Sequence, residues 1–199
     1  MKTLSIVLIL LTASGLVMAG GDPAAGKSTA IICMGCHGSD GNSTNPGYPK
    51  LAGQGEAYLR KQLQDFKSGA RKEEHMNSMV EAISNKDIPN LAVWFTGQQR
   101  SPGIANATKT RKGQQIYHQG IAKKNISACA DCHGEKGEGN AIIKFPSLAG
   151  QHVDYIAKML HDFRSGKRNN DPGAMMRNVA EKLTDREIES VANYIAKLK

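Results

Sequence analysis

Cys33-Met34-Gly35-Cys36-His37 and Cys129-Ala130-Asp131-Cys132-His133 are the two stretches on which the reading of this chain turns. Each sets two thiols three residues apart with a histidine directly after the second. At this composition the pattern should arise by chance only about 0.002 times per chain. Together the two copies use all four cysteines of the protein. Two disulfides are the first alternative for an exported chain, but they give the histidines no role. A structural zinc centre needs two further ligands at matched spacing, and a redox dithiol does not require the histidine. Covalent haem attachment accounts for every residue in the pattern. Helical turning brings both thiols to one porphyrin edge for thioether bonds, and the next side chain points its imidazole at the iron. Two covalently bound haem c groups are therefore expected, attached through Cys33, Cys36, Cys129 and Cys132, with His37 and His133 as proximal iron ligands.

Outward from the motifs, the N-terminus reads as a targeting segment. Lys2 supplies a positive n-region, Leu4 to Leu11 an apolar h-region, and Val17-Met18-Ala19 a small-x-small cleavage site. A signal peptide over residues 1–19 is expected, with cleavage after Ala19. A membrane anchor is the alternative, but Thr12, Ser14 and Gly15 interrupt a stretch already short for a bilayer. Export then implies an oxidising compartment. Of 199 residues, 40% are hydrophobic and only 5% aromatic, so two small domains would have thin cores. A covalent haem would staple each one.

The chain repeats itself at a period near 97 residues. Leu51 to Lys72 aligns with Leu148 to Asn169, with 12 of 22 positions identical, including Leu-Ala-Gly-Gln at 51–54 and 148–151. An all-α fold of two tandem cytochrome c-like domains follows, each enclosing one haem: residues 20–100, a linker over 101–108, and residues 109–199. Each half reads as helix, haem motif, Gly-rich loop, helix, loop, helix. The first helix is expected from about Pro23 into the motif, with Asp22 as cap, and its counterpart from near Lys109 to before Ile121. The second covers about Glu56–Lys67, with Gly69 and Gly166 as stop signals. Ser84-Asn85-Lys86-Asp87 and Thr184-Asp185-Arg186-Glu187 both have capping-box form ahead of the last helices.

The sixth iron ligand is the informative choice. At an offset of 100, only Met76 and Met176 place methionine in both halves. Both fall in a stretch that reads as loop before the last helix. A thioether stabilises ferrous iron and raises the potential; the competing role for methionine is as a flexible core filler. Met79 in the first half and Met175 in the second stay open as alternatives. His75 would give a bis-His haem but has no histidine counterpart. His118, His152 and His161 also lack counterparts and read as surface residues. Pro49 and Pro146 match inside Pro-x-Leu-Ala-Gly. Each is either a rigid turn or a carbonyl that orients the proximal histidine.

These features together resemble the dihaem cytochrome c4 family over almost the whole mature length. The resemblance rests on both Cys-x-x-Cys-His motifs, Asp40-Gly41-Asn42-Ser43, Pro49-Lys50-Leu51-Ala52-Gly53-Gln54-Gly55-Glu56, and Asn170-Asp171-Pro172-Gly173-Ala174-Met175-Met176-Arg177. It implies two class I cytochrome c domains related by a pseudo-twofold axis, with haems meeting near the interface. It also implies His37/Met76 and His133/Met176 as axial pairs. The first Met loop, Arg71 to Met76, is shorter than the family's usual one. A periplasmic carrier passing electrons to a terminal oxidase, sometimes held loosely at the inner membrane, is the implied function.

Charge separates the halves. Residues 20–105 carry nine Lys/Arg against eight Asp/Glu, and residues 106–199 carry sixteen against ten. A basic chain can bind nucleic acid, yet the charges are scattered and no nucleic-acid motif accompanies them. Electrostatic steering toward a redox partner with an acidic surface, such as a haem-copper oxidase, is the better expectation. An upstream cytochrome or dehydrogenase would be the donor. With both irons six-coordinate, no enzyme activity is expected. A dihaem peroxidase would need an open iron site and acid–base groups. A cytochrome subunit of a dehydrogenase is the other alternative.

Overall fold

Asp22 starts the first helix. Its carboxylate accepts the Ala24 N–H at 2.8 Å, and Pro23 takes the first helical position, where no donor is missed. The computed structural model describes residues 20–199, so the signal-peptide expectation lies outside the described residues. The helix expected to run unbroken into the haem motif divides in two. α1 spans Pro23–Thr29 and α2 spans Ile31–His37. Between them sits Ala30, fully buried. The Cys33 N–H bonds the Ala30 carbonyl at 2.8 Å, a tighter three-residue closure that turns the chain toward the motif.

The first half continues with α3 (Glu56–Lys67), α4 (Glu74–Glu81) and α5 (Asp87–Thr96). α3 has the expected bounds, and Gly69 follows it at φ 76°, a left-handed conformation that costs glycine little. The second half repeats the order. α6 (Thr110–Gln119) leads to α7 (Ala130–His133), which carries the motif, then α8 (Val153–Arg164), α9 (Met175–Ala180) and α10 (Asp185–Lys197). Among the described residues there are no strands, only isolated bridges at Ile121–Ile126 and Asn140–Phe145.

Two separate cores follow from the duplication. One gathers Leu59, Phe66, Ile88, Leu91 and Phe95; the other gathers Tyr117, Ile156, Phe163, Ile188 and Ile195. Each is closed by the crossing of a domain's first and last helices, α1 on α5 and α6 on α10. The crossings are close enough to need glycine. A Cβ on Gly26 would lie 2.0 Å from the Asn90 carbonyl oxygen, and one on Gly113 would lie 2.0 Å from that of Ser190.

The two capping boxes differ. At α10 both halves are made: Thr184 Oγ1 accepts from the Glu187 N–H at 3.3 Å, and the Glu187 carboxylate accepts from the Thr184 N–H at 2.7 Å. At α5 only the return bond forms, from the Ser84 N–H to the Asp87 carboxylate at 2.7 Å. The chain makes a tight turn there, and the helix begins at Asp87. We expect Thr184→Ala to cost about 1 kcal/mol, read from chemical denaturation, and Ser84→Ala to cost less.

Between the halves, the chain does not hang free. The Asn106 N–H donates to Asn193 Oδ1 at 2.8 Å, and Gly103 lies so close to the Ala196 carbonyl that a Cβ there would approach it to 2.5 Å.

Candidate haem sites

The two proximal histidines are held alike. His37 Nδ1 donates to the Pro49 carbonyl at 2.9 Å, and His133 Nδ1 donates to the Pro146 carbonyl at 3.0 Å. Of the two roles open to these prolines, the carbonyl role is the one the geometry carries. Both imidazoles are buried, at 5% and 7% exposure. Burial pushes both below the ordinary histidine pKa, against the opposing pull of the carbonyl bonds. Both rings are therefore neutral near pH 7, with Nδ1–H committed and the Nε2 lone pair free for a metal.

The cysteines are unbridged. In each pair the first is half-buried and the second exposed. Burial, and then the neighbouring Cys36, pushes the Cys33 thiol up to about 11. Burial likewise pushes Cys129 up to about 12. Among the described residues no three His, Cys, Asp or Glu side chains converge as a zinc centre would need.

Met76 and Met176 are placed differently from expectation. Neither lies in a loop: Met76 is in α4 and Met176 in α9. The residue after each methionine explains why. Asn77 accepts from the Glu73 N–H at 2.7 Å and donates to the carbonyls of Phe66 at 2.7 Å and Arg71 at 3.0 Å. In the other half, buried Asp171 accepts from the Arg177 N–H at 3.0 Å and from its Nε at 2.8 Å. These bonds tie the turn to α3 and the loop after it in the first half, and to the loop ahead of it in the second, so the chain coils where composition suggests loop. Met76 packs on the core that includes Cys33, and Met176 on the core that includes Cys129. Met79 and Met175 are each 42% exposed, and His75 is exposed.

Of the three other histidines, expected at the surface, His118 and His152 are half-buried and the His161 side chain is 42% exposed. His118 bridges the Tyr194 hydroxyl at 2.7 Å and the Glu135 carboxylate at 2.9 Å. His152 Nε2 donates to the Ser43 carbonyl of the other half at 2.8 Å. His161 accepts from Arg164 at 2.9 Å. Trp94, the counterpart of Tyr194, buries its indole N–H without a partner under the Lys27 ammonium.

Buried cations without carboxylate partners gather between the halves. Arg71 and Arg168 each stack 4.5 Å over a phenylalanine of their own half. Both donate to Gln62 Oε1, at 2.7 and 3.1 Å. Arg100 donates to the carbonyls of Ala52 at 2.7 Å and Ala149 at 3.0 Å, while its Nη2 is buried with no partner. Burial lowers its pKa to about 10. Such groups suit an anionic ligand group. Identity across the repeat was the available signal for Arg71 and Arg168, and Asp171 lies in the stretch that carries the family resemblance, whereas nothing in the sequence singled out Asn77 or Arg100.

Thiol pairs on one turn, free imidazole nitrogens, half-buried thioethers and an orphaned guanidinium fit a covalent haem with its two carboxylates in each half. A family model described as cytochrome c matches residues 24–101 and again 110–199. The cytochrome c4 of Azotobacter vinelandii is 43% identical over 204 residues, covering 98% of this chain and 97% of that protein. The crystal structure of reduced recombinant cytochrome c4 from Pseudomonas stutzeri superposes with a TM-score of 0.88 at 42% identity, covering 90% of this chain and all of that one. A thiosulfate dehydrogenase electron acceptor of Stutzerimonas stutzeri is 35% identical over 89% of this chain and 81% of its own length.

Proposed function

Because this chain belongs to the cytochrome c4 family of dihaem electron carriers, we propose that it works in the periplasm, taking electrons from a respiratory donor and delivering them to a membrane terminal oxidase. Cys33 and Cys36 would hold one haem covalently, with His37 and Met76 as the ligands of its iron. Cys129 and Cys132 would hold the other, with His133 and Met176. Each haem, when bound, supplies a one-electron ferric/ferrous couple. The observation that carries the ligand reading is the paired orientation of His37 and His133 by the carbonyls of Pro49 and Pro146. It fixes one tautomer in each ring and leaves Nε2 to the iron. Met76 and Met176 are the half-buried methionines matched across the repeat. Arg71, Arg100 and Arg168 supply positive charge for the haem carboxylates.

With His37 and Met76 holding one haem and His133 and Met176 the other, neither iron would keep a position open for peroxide. A second reading has one observation in its favour: the 35%-identical relative named as an electron acceptor of thiosulfate dehydrogenase. On that reading the donor is a sulfur-oxidising dehydrogenase and the carrier chemistry is unchanged.

The test has two readouts. The oxidised protein should be low-spin at both irons, show Met–iron charge-transfer absorption and be inert to peroxide. High-spin iron with peroxide turnover would favour the peroxidase. Membranes containing a haem-copper oxidase should oxidise the reduced protein at a rate that falls as salt rises, since the more basic C-terminal half steers the approach to an acidic surface. A rate flat across ionic strength would remove the steering.

A further inference from the structure

The peptide group joining Pro49 to Lys50 is hydrogen-bonded at both ends. Its carbonyl accepts from His37 Nδ1 at 2.9 Å. Its N–H, on Lys50, donates to Oε1 of Gln151 at 2.8 Å. Gln151 belongs to the other domain, and its Nε2 returns a bond to the Lys50 carbonyl at 2.9 Å. The second site is the mirror case. The Pro146 carbonyl accepts from His133 at 3.0 Å. The Ser147 N–H donates to Oε1 of Gln54, in the first domain, at 2.8 Å, and Gln54 Nε2 donates to the Ser147 carbonyl at 2.9 Å. Gln54 and Gln151 are 5% and 4% exposed. Each Oε1 also accepts the N–H of the next residue, Gly55 at 2.9 Å or His152 at 3.1 Å, which pins the side chain to its own backbone.

We propose that Gln151 and Gln54 are crossed positioning residues: each holds the peptide group that orients the proximal histidine of the opposite domain, so each domain tunes the haem of its neighbour. The proposal rests on the reading of His37 and His133 as iron ligands. A peptide whose N–H is engaged polarises, and its carbonyl becomes a better acceptor. A stronger bond from Nδ1–H makes the imidazole a more basic ligand, which favours ferric iron. Docking of the domains therefore lowers both potentials, each through a glutamine that belongs to the other half. The relay is not fully symmetric. Arg100 also donates to the Ser147 carbonyl, at 3.3 Å, whereas the Lys50 ammonium turns away to the carbonyls of Ser101 and Pro102.

Gln151→Met and Gln54→Met keep side-chain length and remove both bonds. In the holoprotein, Gln151→Met should raise the potential of the haem on Cys33 and Cys36 and leave the other in place. The expected shift is three- to tenfold in the one-electron equilibrium constant, roughly 30 to 60 mV. Gln54→Met should do the reverse. Haems are assigned to domains by their hyperfine-shifted NMR signals. A shift confined to the glutamine's own domain, equal shifts of both haems, or no shift in a folded variant would overturn the proposal. Should a variant fail to fold, the wild type decides. In the ferrous protein, scalar couplings across the hydrogen bonds should connect the Lys50 amide nitrogen with Gln151 Cδ and the Ser147 amide nitrogen with Gln54 Cδ. Their absence, where helical couplings are seen, overturns it. The ligand reading fails separately: wild-type protein without Met–iron signals would refute the axial assignment before any glutamine is changed.

Discussion

Met76→Ala is expected to lower the potential of the first-domain haem on the order of 0.1–0.3 V, a fraction of the about 0.8 V that axial ligands span, and to erase one Met–iron signal. Met176→Ala should do the same to the second haem alone. The direction follows from the sulfur, which stabilises ferrous iron and is lost to water or a weaker ligand. Selectivity follows from placement. Met76 is held in α4, where its N–H donates to the Glu73 carboxylate at 3.2 Å and Asn77 locks the turn. Met79 and Met175, at 42% exposure, should be replaceable by alanine with both potentials intact. Spectroelectrochemical titration of the four variants measures this directly. A pair of potentials unchanged in Met76→Ala and Met176→Ala would overturn the ligand assignment, and a loss in Met79→Ala would move it one helical turn along.

Gly113→Ala is expected to destabilise the C-terminal domain by on the order of 3–5 kcal/mol, a large part of what holds a small domain together. On helix propensity alone the substitution should stabilise by up to about 1 kcal/mol, so any loss is steric. A methyl there meets the Ser190 carbonyl oxygen at 2.0 Å, its carbon at 2.7 Å and Tyr194 Cβ at 2.7 Å. None of these is the end of a flexible side chain, so α6 and α10 must separate, and Tyr117, Val191 and Ile195 behind them lose packing. Gly97→Ala is the control. Gly97 has ordinary helical angles, and its nearest neighbour to an added methyl is 3.5 Å away. Chemical denaturation followed by circular dichroism should place Gly97→Ala near wild type and Gly113→Ala far below it. Equal stabilities would show that the helices can slide apart at no cost.

Much of the fold was legible because it is local. Apolar spacing gave α3 its bounds. The Thr184–Glu187 box started α10, and Asp22 with Pro23 started α1. Those signals lie within one or two turns of the atoms they organise. The division at Ala30 and the coiling around both methionines were not legible. The bonds responsible for the coiling join Asn77 to Phe66 and Arg71, eleven and six residues away, and Asp171 to Arg177, while the division at Ala30 goes with the burial of that residue and its bond from Cys33. α9 also follows two left-handed residues, Gly173 and Ala174, the second of which has no glycine to announce it.

Cys33, Cys36 and His37, with Cys129, Cys132 and His133, read from the sequence alone as two haem attachments, because that chemistry needs only neighbours within five residues. The duplication then made the two halves alike in fold. Which surfaces of those halves meet was decided by the tertiary structure. Gln151 reaches Lys50 across 101 positions and Gln54 reaches Ser147 across 93. Leu-Ala-Gly-Gln carries no mark of its partner, since a buried amide is satisfied by whichever backbone the folded domains bring to it. Through those contacts the histidine of each motif is tied to the domain that does not contain it.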